Sequence, residues 1–263
     1  MNRFIVTLLF FISSVIVEAQ TADIPYLTAD RPGMATTADI VLPLKFQIET
    51  GCSFEKMSSG NTYQENILYN TSLLRFGINE NAEIRLQTDF AQVKTESSSL
   101  IGFNPLTIGT KLKLTEGNSW LPKTSLLLNL TLPWVGKKDF RPDKLSPSFY
   151  LLMQNNITDK LNICYNVGVQ DDAENSTPQE FVALCFGYSF TDRLSAFIES
   201  YNWFEANTPP ANSFDLGCAC LIGKNIQIDV SGNMNVQGFR NYFMVNCGLA
   251  WRIMKRTRNI NLK

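Results

Sequence analysis

A strict alternation of apolar and polar side chains is the feature that most limits how this chain can fold. In LKFQIETGCSFE, residues 44–55, one parity is apolar apart from Thr50, while the other carries Lys45, Gln47, Glu49 and Glu55. A period of two places the two sets on opposite faces of a β-strand. A soluble sandwich with its polar face in water fits this stretch, and so does a membrane barrel with its polar face around a lumen.

The same alternation recurs along the chain at intervals short enough for hairpins, without long helical periodicity. In EIRLQTDF, residues 83–90, and LTIGTKLKL, residues 106–114, the polar parity again carries charges. Segments 67–78, 148–156 and 194–204 are apolar on both parities, so their phase cannot be assigned. We count about twelve strands, most with the nine to eleven residues that a tilted membrane strand needs.

The connections between these strands mostly alternate between short and long. Short polar turns are predicted at 79–82, 156–160, 191–193 and 223–225, and longer loops at 56–65, 95–103, 136–147, 171–178, 205–212 and 233–240. A membrane barrel has short periplasmic turns and longer external loops, whereas a sandwich does not impose this alternation. We therefore predict an all-β fold, an antiparallel transmembrane β-barrel of about 12 strands over residues 44–254.

Aromatic residues near the predicted strand ends fit an interfacial girdle, although large rings can equally fill a core. They are Phe54, Phe76, Phe90, Trp134, Trp203 and Trp251.

The N-terminus carries the pattern of a signal peptide, which we assign to residues 1–19. A membrane anchor is the weaker interpretation, because the apolar run is short and ends in the small-residue site before Gln20. Residues 20–43 lack strand-like alternation and are predicted to form a periplasmic or plug segment. A basic polar tail is expected at 255–263.

Composition removes several function classes. The sequence contains no histidine, which excludes hydrolases that depend on a Ser-His or Cys-His pair. A net charge of −1 gives no basic surface for nucleic acid. The six cysteines lie in predicted strands without a CxxC motif, so free thiols packed as small apolar side chains are favoured over disulfides or metal ligands. We expect no enzyme activity, no metal and no cofactor.

Two groups of residues are candidates for the functional site. The lumen-facing polar candidates are Glu49, Arg85, Asp89, Lys111, Lys113, Asp215 and Asp229. We expect their charges to compensate one another, either as structural packing of buried ions or as a ligand site. The plug candidates are Asp30, Arg31 and Pro32, within TADRPGM. Arg31 is expected to meet a lumen carboxylate such as Glu49, although a loose N-terminal leader is the alternative.

Several motifs in order resemble the outer-membrane transporter family named for the MetA pathway of phenol degradation. They are TADRPGMATTADIVLPLKFQIETG, LLRFGINENAEIRLQ, LTIGTKLKL, SFYLLMQNNITDKLNICYNVGVQ and FDLGCACLIGKNIQIDVSG. The resemblance implies a closed barrel in a Gram-negative cell outer membrane that passes small hydrophobic or aromatic compounds, and it supplies no catalytic residue. The polar positions that match the family pattern are Asp30, Arg31, Glu49, Gly51, Arg75, Arg85, Lys111, Glu199, Asp215 and Asp229.

The expected function is therefore that of an outer-membrane channel or transporter for small solutes. The alternative is a structural or adhesive barrel with a closed lumen and functional external loops, because a barrel of this size is narrow enough for side chains to fill. The expected partners are outer-membrane lipid, a small-molecule solute and the barrel-assembly machinery, and no nucleic acid.

Overall fold

The structure is a computed structural model that describes residues 24–59, 62–118, 120–171, 178–206, 210, 212–235 and 240–254. The predicted signal peptide, residues 1–19, and the predicted tail, residues 255–263, lie outside the described residues. No helix in the described part of the chain is both long and apolar enough to cross a membrane.

Thirteen strands and one short 3₁₀ helix make up the regular structure of the described residues. The strands are β1 (Phe46–Ser59), β2 (Thr62–Asn79), β3 (Ala82–Thr95), β4 (Ser99–Phe103), β5 (Thr107–Thr115), β6 (Lys123–Thr131), β7 (Ser146–Asn156), β8 (Leu161–Asp171), β9 (Pro178–Ser189), β10 (Leu194–Phe204), β11 (Ser213–Ile222), β12 (Ile226–Asn235) and β13 (Arg240–Ile253). The helix, Lys138–Phe140, lies in the loop after β6.

These strands close into a single antiparallel barrel whose wall is twelve strands round. β1 pairs with β2 on one side and with β13 on the other, and β2 also pairs with β3, which closes the wall. β3 pairs with β5 along its first half and with β4 along its second half. β4 and β5 therefore form one wall strand, interrupted around Pro105, a residue that cannot donate to the ladder. The predicted twelve-stranded barrel is confirmed.

The two faces of the wall have opposite chemistry. On β3, Ile84 is 52% exposed on the outer face, while its neighbour Glu83 is fully buried on the inner face. On β11, Leu216 is 61% exposed and Asp215 is 1% exposed. Apolar side chains outside and charged side chains inside are the reverse of a soluble core, and they suit a wall surrounded by lipid.

Four strands are longer than the sequence analysis predicted. β1, β3 and β13 have 14 residues and β2 has 18. The predicted loop at 56–65 is therefore mostly strand, and the predicted loop at 95–103 contains β4. Antiparallel pairing satisfies the backbone in water as well as in lipid, so a hairpin with polar side chains can continue beyond the membrane.

One residue of the predicted aromatic girdle lies on the other face. Trp203 points inward with Glu199 and Tyr201, and its ring centroid lies 4.5 Å from that of Phe181. The girdle assignment was wrong for Trp203, because β10 carries apolar side chains on both faces. Phe54 and Trp251 lie on the outward parity, Phe54 beside Phe243.

The connections at the two ends of the barrel differ in length, as the sequence predicts. Three tight turns, at 157–160, 190–193 and 223–225, lie at the same end as the turn between β2 and β3. The longer join at 116–122 also lies there. By the general rule for such barrels this is the periplasmic end.

Candidate functional site: the lumen and the segment inside it

Residues 24–43 enter the barrel at the short-turn end and follow the inner wall. Near the entrance the Leu27 amide donates to the Lys224 carbonyl at 2.9 Å, and Arg252 donates to the Pro25 carbonyl at 2.6 Å. The segment crosses to β8 and β10, returns past β6 and β3, and meets β2 where Pro43 bridges Gly77. We call residues 24–43 the lumen segment.

Asp30 is the charged centre of the lumen segment. Its carboxylate accepts hydrogen bonds from Arg85 at 2.5 Å and from Lys111 at 2.9 and 3.0 Å. Arg75 lies 3.3 Å away, and the Thr37 hydroxyl donates at 2.8 Å. Residues from three wall strands therefore converge on one side chain of the segment.

Two wall carboxylates complete this cluster. Arg75 donates two hydrogen bonds to the Glu83 carboxylate in a bidentate arrangement, at 2.8 and 2.9 Å, and one to Glu49 at 2.8 Å. Glu49 also accepts from the Asp30 amide at 3.0 Å, and Glu83 accepts from the Val41 amide at 2.8 Å. Each wall carboxylate thus binds a wall cation and the backbone of the lumen segment.

The cluster balances its charge within the barrel. Its members are the carboxylates Asp30, Glu49 and Glu83 and the cations Arg75, Arg85 and Lys111. Three negative and three positive charges sum to zero, which is the condition under which buried ions are tolerated. Burial alone would raise the pKa of Asp30, but Arg75, Lys111 and Arg85 together hold that pKa well below its usual range. Asp30 is therefore ionised at neutral pH.

Arg31 occupies a separate position on the wall, at the pairing of β1 with β13. Its guanidinium donates to Asp229 at 3.2 Å and to the Thr71 hydroxyl at 3.2 Å. It lies against Gly51 and Gly248, which face each other across the pair and whose missing side chains leave the space that it fills. Arg31 meets Asp229 and not Glu49, which binds Arg75 and the Asp30 amide instead.

The far side of the segment is held through its backbone. Glu199 accepts from the Met34 amide at 2.9 Å and the Ala35 amide at 2.8 Å. Asn166 accepts from the Thr36 amide at 2.7 Å and donates to the Thr36 carbonyl at 3.0 Å. These contacts satisfy backbone groups that have no strand partner inside the lumen.

The remaining lumen candidates lie away from this cluster. Asp215 is buried between Glu199 and Asn233 on the neighbouring strands, and neither of its oxygens accepts a hydrogen bond of ordinary geometry, although Ser231 is near. Lys113 pairs with Glu116 at 2.5 Å at the short-turn end. Asp89 accepts from the Ser72 amide at 3.3 Å. The structure brings Glu49, Arg85 and Lys111 together and leaves Asp89, Lys113, Asp215 and Asp229 outside their cluster.

Sequence reasoning missed two members of the cluster as lumen candidates. Glu83 shares the polar parity of Arg85 and could have been found from that pattern. Arg75 lies in the segment that could not be phased, where β2 shifts register between Leu68 and Asn70. Two signals were available for Arg75: it is a charged residue among apolar neighbours, and it matches the polar pattern of the family that the sequence resembles.

Above the lumen segment, towards the long loops, the wall has a polar side and an aromatic side. A cavity of about 620 Å³ lies between β3, the interruption around Pro105 and the loop after β6, with Gln87, Asp89, Thr131 and Arg141 in its lining. Further round the wall, Phe181 packs against Tyr150, Tyr201 and Trp203 with ring centroids 4.5–6.3 Å apart. Met34 and Ala35 of the segment pack against this aromatic patch.

Within the described part of the chain, no group of three or more Cys, Asp, Glu or His side chains is arranged to hold a metal ion. The arrangement instead offers a cluster of charged contacts for the lumen segment and, towards the long loops, a polar cavity and a separate aromatic patch.

Comparison with known proteins adds a family and a fold. The model of the family described as "MetA-pathway of phenol degradation" matches residues 29–253. No curated protein sequence matches the chain significantly. Among solved structures, the COG4313 outer membrane channel from Pseudomonas putida F1 is similar with a TM-score of 0.67 and 10% identity, over 85% of this chain and 99% of that chain.

A second similar structure is the translocator domain of the autotransporter NalP from Neisseria meningitidis. Its TM-score is 0.52 at 12% identity, over 81% of this chain and 89% of that chain. At these identities the structural likeness establishes the barrel fold.

Proposed function

The chain belongs to the family described as "MetA-pathway of phenol degradation", and from this premise we propose that it is an outer-membrane β-barrel channel for small hydrophobic or aromatic solutes. The similar barrel from Pseudomonas putida F1 is itself an outer membrane channel. Phenol is not proposed as the solute, because the family description refers to a pathway and not to this chain. No reaction is assigned to the chain.

The observation that carries this proposal is the aromatic patch on the inner wall above the lumen segment. Phe181 and Tyr201 are each only 4% exposed, and they lie on the inner wall of a barrel whose other inward positions are largely polar. Aromatic rings on an inner wall have no lipid to face. With the lumen segment in place they are covered by one another and by Met34 and Ala35, so a solute reaches them only when the segment shifts. The separate polar cavity between β3 and the loop after β6 can hold a polar group of a solute.

We assign the lumen segment the role of a gate between the long-loop half of the lumen and the periplasm. It contacts the wall by hydrogen bonds on both sides of the lumen, from Glu49 on β1 to Glu199 on β10. These contacts are non-covalent, so a solute can pass when the segment shifts away from them while the wall stays closed. Insertion of such a barrel would depend on the barrel-assembly machinery.

The second candidate is a structural or adhesive barrel with a closed lumen. The number of buried contacts made by the segment favours it, because each must be broken before a solute can pass. In that case the long external loops would carry the function.

Liposome flux separates these candidates. Purified protein in liposomes should pass a small aromatic solute such as benzenesulfonate, whose charge prevents it from crossing lipid unaided, faster than a pentose sugar of similar size. Phe181→Ala should lower the aromatic flux several-fold, because it removes the central ring of the patch. Phe186→Ala is the matched control, since Phe186 lies on the same strand and is 41% exposed on the outer face. If the aromatic solute crosses no faster with the unsubstituted protein or either variant than in protein-free liposomes, the closed barrel is supported instead.

A further inference from the structure

Among the described residues, the pairing of β1 with β13 is the one place where neighbouring wall strands do not follow each other in the chain, if β4 and β5 are taken as one wall strand. Every other neighbouring pair among the described strands is joined through a turn, a loop or the interrupted β4–β5 strand. The seam between β1 and β13 is held by backbone hydrogen bonds and side chains alone. A covalent link at this seam would close the wall into a ring.

Two cysteines face each other across this seam. Cys52 and Cys247 are direct partners in the register, and their Sγ atoms lie 3.3 Å apart. Both side chains are exposed on the outer face. Directly opposite residues of an antiparallel pair have Cα separations of about 4.5–5.5 Å, which lie within the range that a disulfide spans without backbone movement.

The other cysteines do not share this arrangement. Cys164 and Cys185 are also opposite each other, on β8 and β9, but the Cys164 thiol donates to the Thr36 carbonyl of the lumen segment at 3.3 Å. Cys218 and Cys220 lie two residues apart on β11. Their partners on the adjacent strands are Ala196, Val230, Leu194 and Ile228, none of which is a cysteine.

We infer that Cys52 and Cys247 form an oxidative modification site, at which a disulfide joins the first and last strands of the barrel. The oxidant is the disulfide of a thiol-oxidising protein of the exported compartment. The thiolate of one cysteine attacks that disulfide and forms a mixed disulfide, releasing one thiol. The thiolate of the second cysteine then displaces the other sulfur. The chain loses two electrons and two protons, and the oxidant becomes a dithiol.

The lipid-facing position of the two sulfurs sets when this exchange occurs. A thiolate is costly in hydrocarbon, so the first attack takes place while the chain is still in water. Strand pairing then brings the second cysteine beside the mixed disulfide before this part of the wall enters lipid, because the second attack also needs a thiolate. The product links residues 195 positions apart, and such a long closed loop strongly restricts the unfolded chain.

Mass spectrometry of protein purified from membranes without reductant tests the inference. Free thiols are alkylated with N-ethylmaleimide in denaturant before digestion. We expect a linked peptide pair carrying Cys52 and Cys247, while Cys218 and Cys220 are alkylated. Complete alkylation of both Cys52 and Cys247, with no linked pair, would overturn the inference.

Gel mobility provides a second readout. The boiled, non-reduced protein should migrate faster than the reduced protein, because the closed loop makes the unfolded chain more compact. Cys52→Ser and Cys247→Ser should each abolish this difference, and the double variant Cys218→Ser with Cys220→Ser should retain it. The unfolding temperature of the linked barrel should also exceed that of the reduced barrel by on the order of 10 °C. The same mobility in Cys52→Ser as in the unsubstituted protein would contradict the link.

Discussion

The Asp30 carboxylate lies 2.9 Å from the Lys111 ammonium, although the two residues are 81 positions apart and only Lys111 belongs to the barrel wall. Both side chains are almost completely withdrawn from solvent. The contact is among the most deeply buried of the ion pairs that tie the lumen segment to the wall, since the pairs of Arg31 with Asp229 and of Asp39 with Lys123 are partly exposed.

Asp30→Asn should loosen the lumen segment without opening the wall. The substitution keeps the shape of the side chain but leaves the cluster with one uncompensated positive charge. Removing one partner of a buried ion pair lowers the free energy of unfolding by about 3–5 kcal/mol. We expect a higher single-channel conductance in planar bilayers and more frequent openings.

Asp39→Asn is the control for Asp30→Asn. Asp39 belongs to the same segment, but its side chain pairs with Lys123, and both side chains are partly exposed at 24% and 32%. An exposed pair of this kind contributes at most about 1 kcal/mol. Equal conductance changes in the two variants would contradict the central place of Asp30.

Removing both charges of the central pair should lower the free energy of unfolding by less than the sum of the two single substitutions. Asp30→Asn with Lys111→Gln restores a neutral cluster. The difference from additivity should be about 0.5–3 kcal/mol in the free energy of unfolding, in the direction of rescue. Denaturant unfolding of the four proteins in detergent measures it, and strict additivity would show that the two charges do not interact.

Gly248→Ala should displace Arg31 from Asp229. The three atoms nearest to a Cβ at residue 248 all belong to the Arg31 side chain. This flexible side chain would therefore have to move. We expect raised conductance with an unchanged heat-dependent gel shift. Gly232→Ala is the matched control, because a Cβ there meets nothing within 4 Å. An unaltered conductance in Gly248→Ala would mean that Arg31 does not help to hold the segment.

Much of the wall could be predicted from the sequence because lipid and lumen impose opposite chemistry on alternate residues. Residues 83–90 show this clearly, since Glu83 and Arg85 face inward while Ile84 and Leu86 face outward. Where the inward and outward faces of a strand could not be told apart from the sequence, the structure gives a physical reason. On β10 the inward Tyr201 and Trp203 are as apolar as the outward residues, because they form the aromatic patch against the lumen segment.

The contacts of the lumen segment were less accessible to sequence reasoning. Asp30 and Arg31 could be chosen as candidates because they are charged and precede a proline. Their partners could not be derived, because a segment without periodicity has no register with the wall. Arg31 reaches Asp229 only because the two glycines of the seam leave room there, and that follows from strand pairing across nearly the whole chain.

The central claim is that a closed barrel conducts small solutes under the control of its lumen segment. Deleting residues 20–40 and measuring solute flux and single-channel conductance in reconstituted protein tests this claim most directly. The account predicts a clear rise in both, while unheated and boiled samples still differ in mobility on a denaturing gel, as a folded barrel requires. Unchanged flux and conductance in a deletion variant that keeps this gel shift would contradict it.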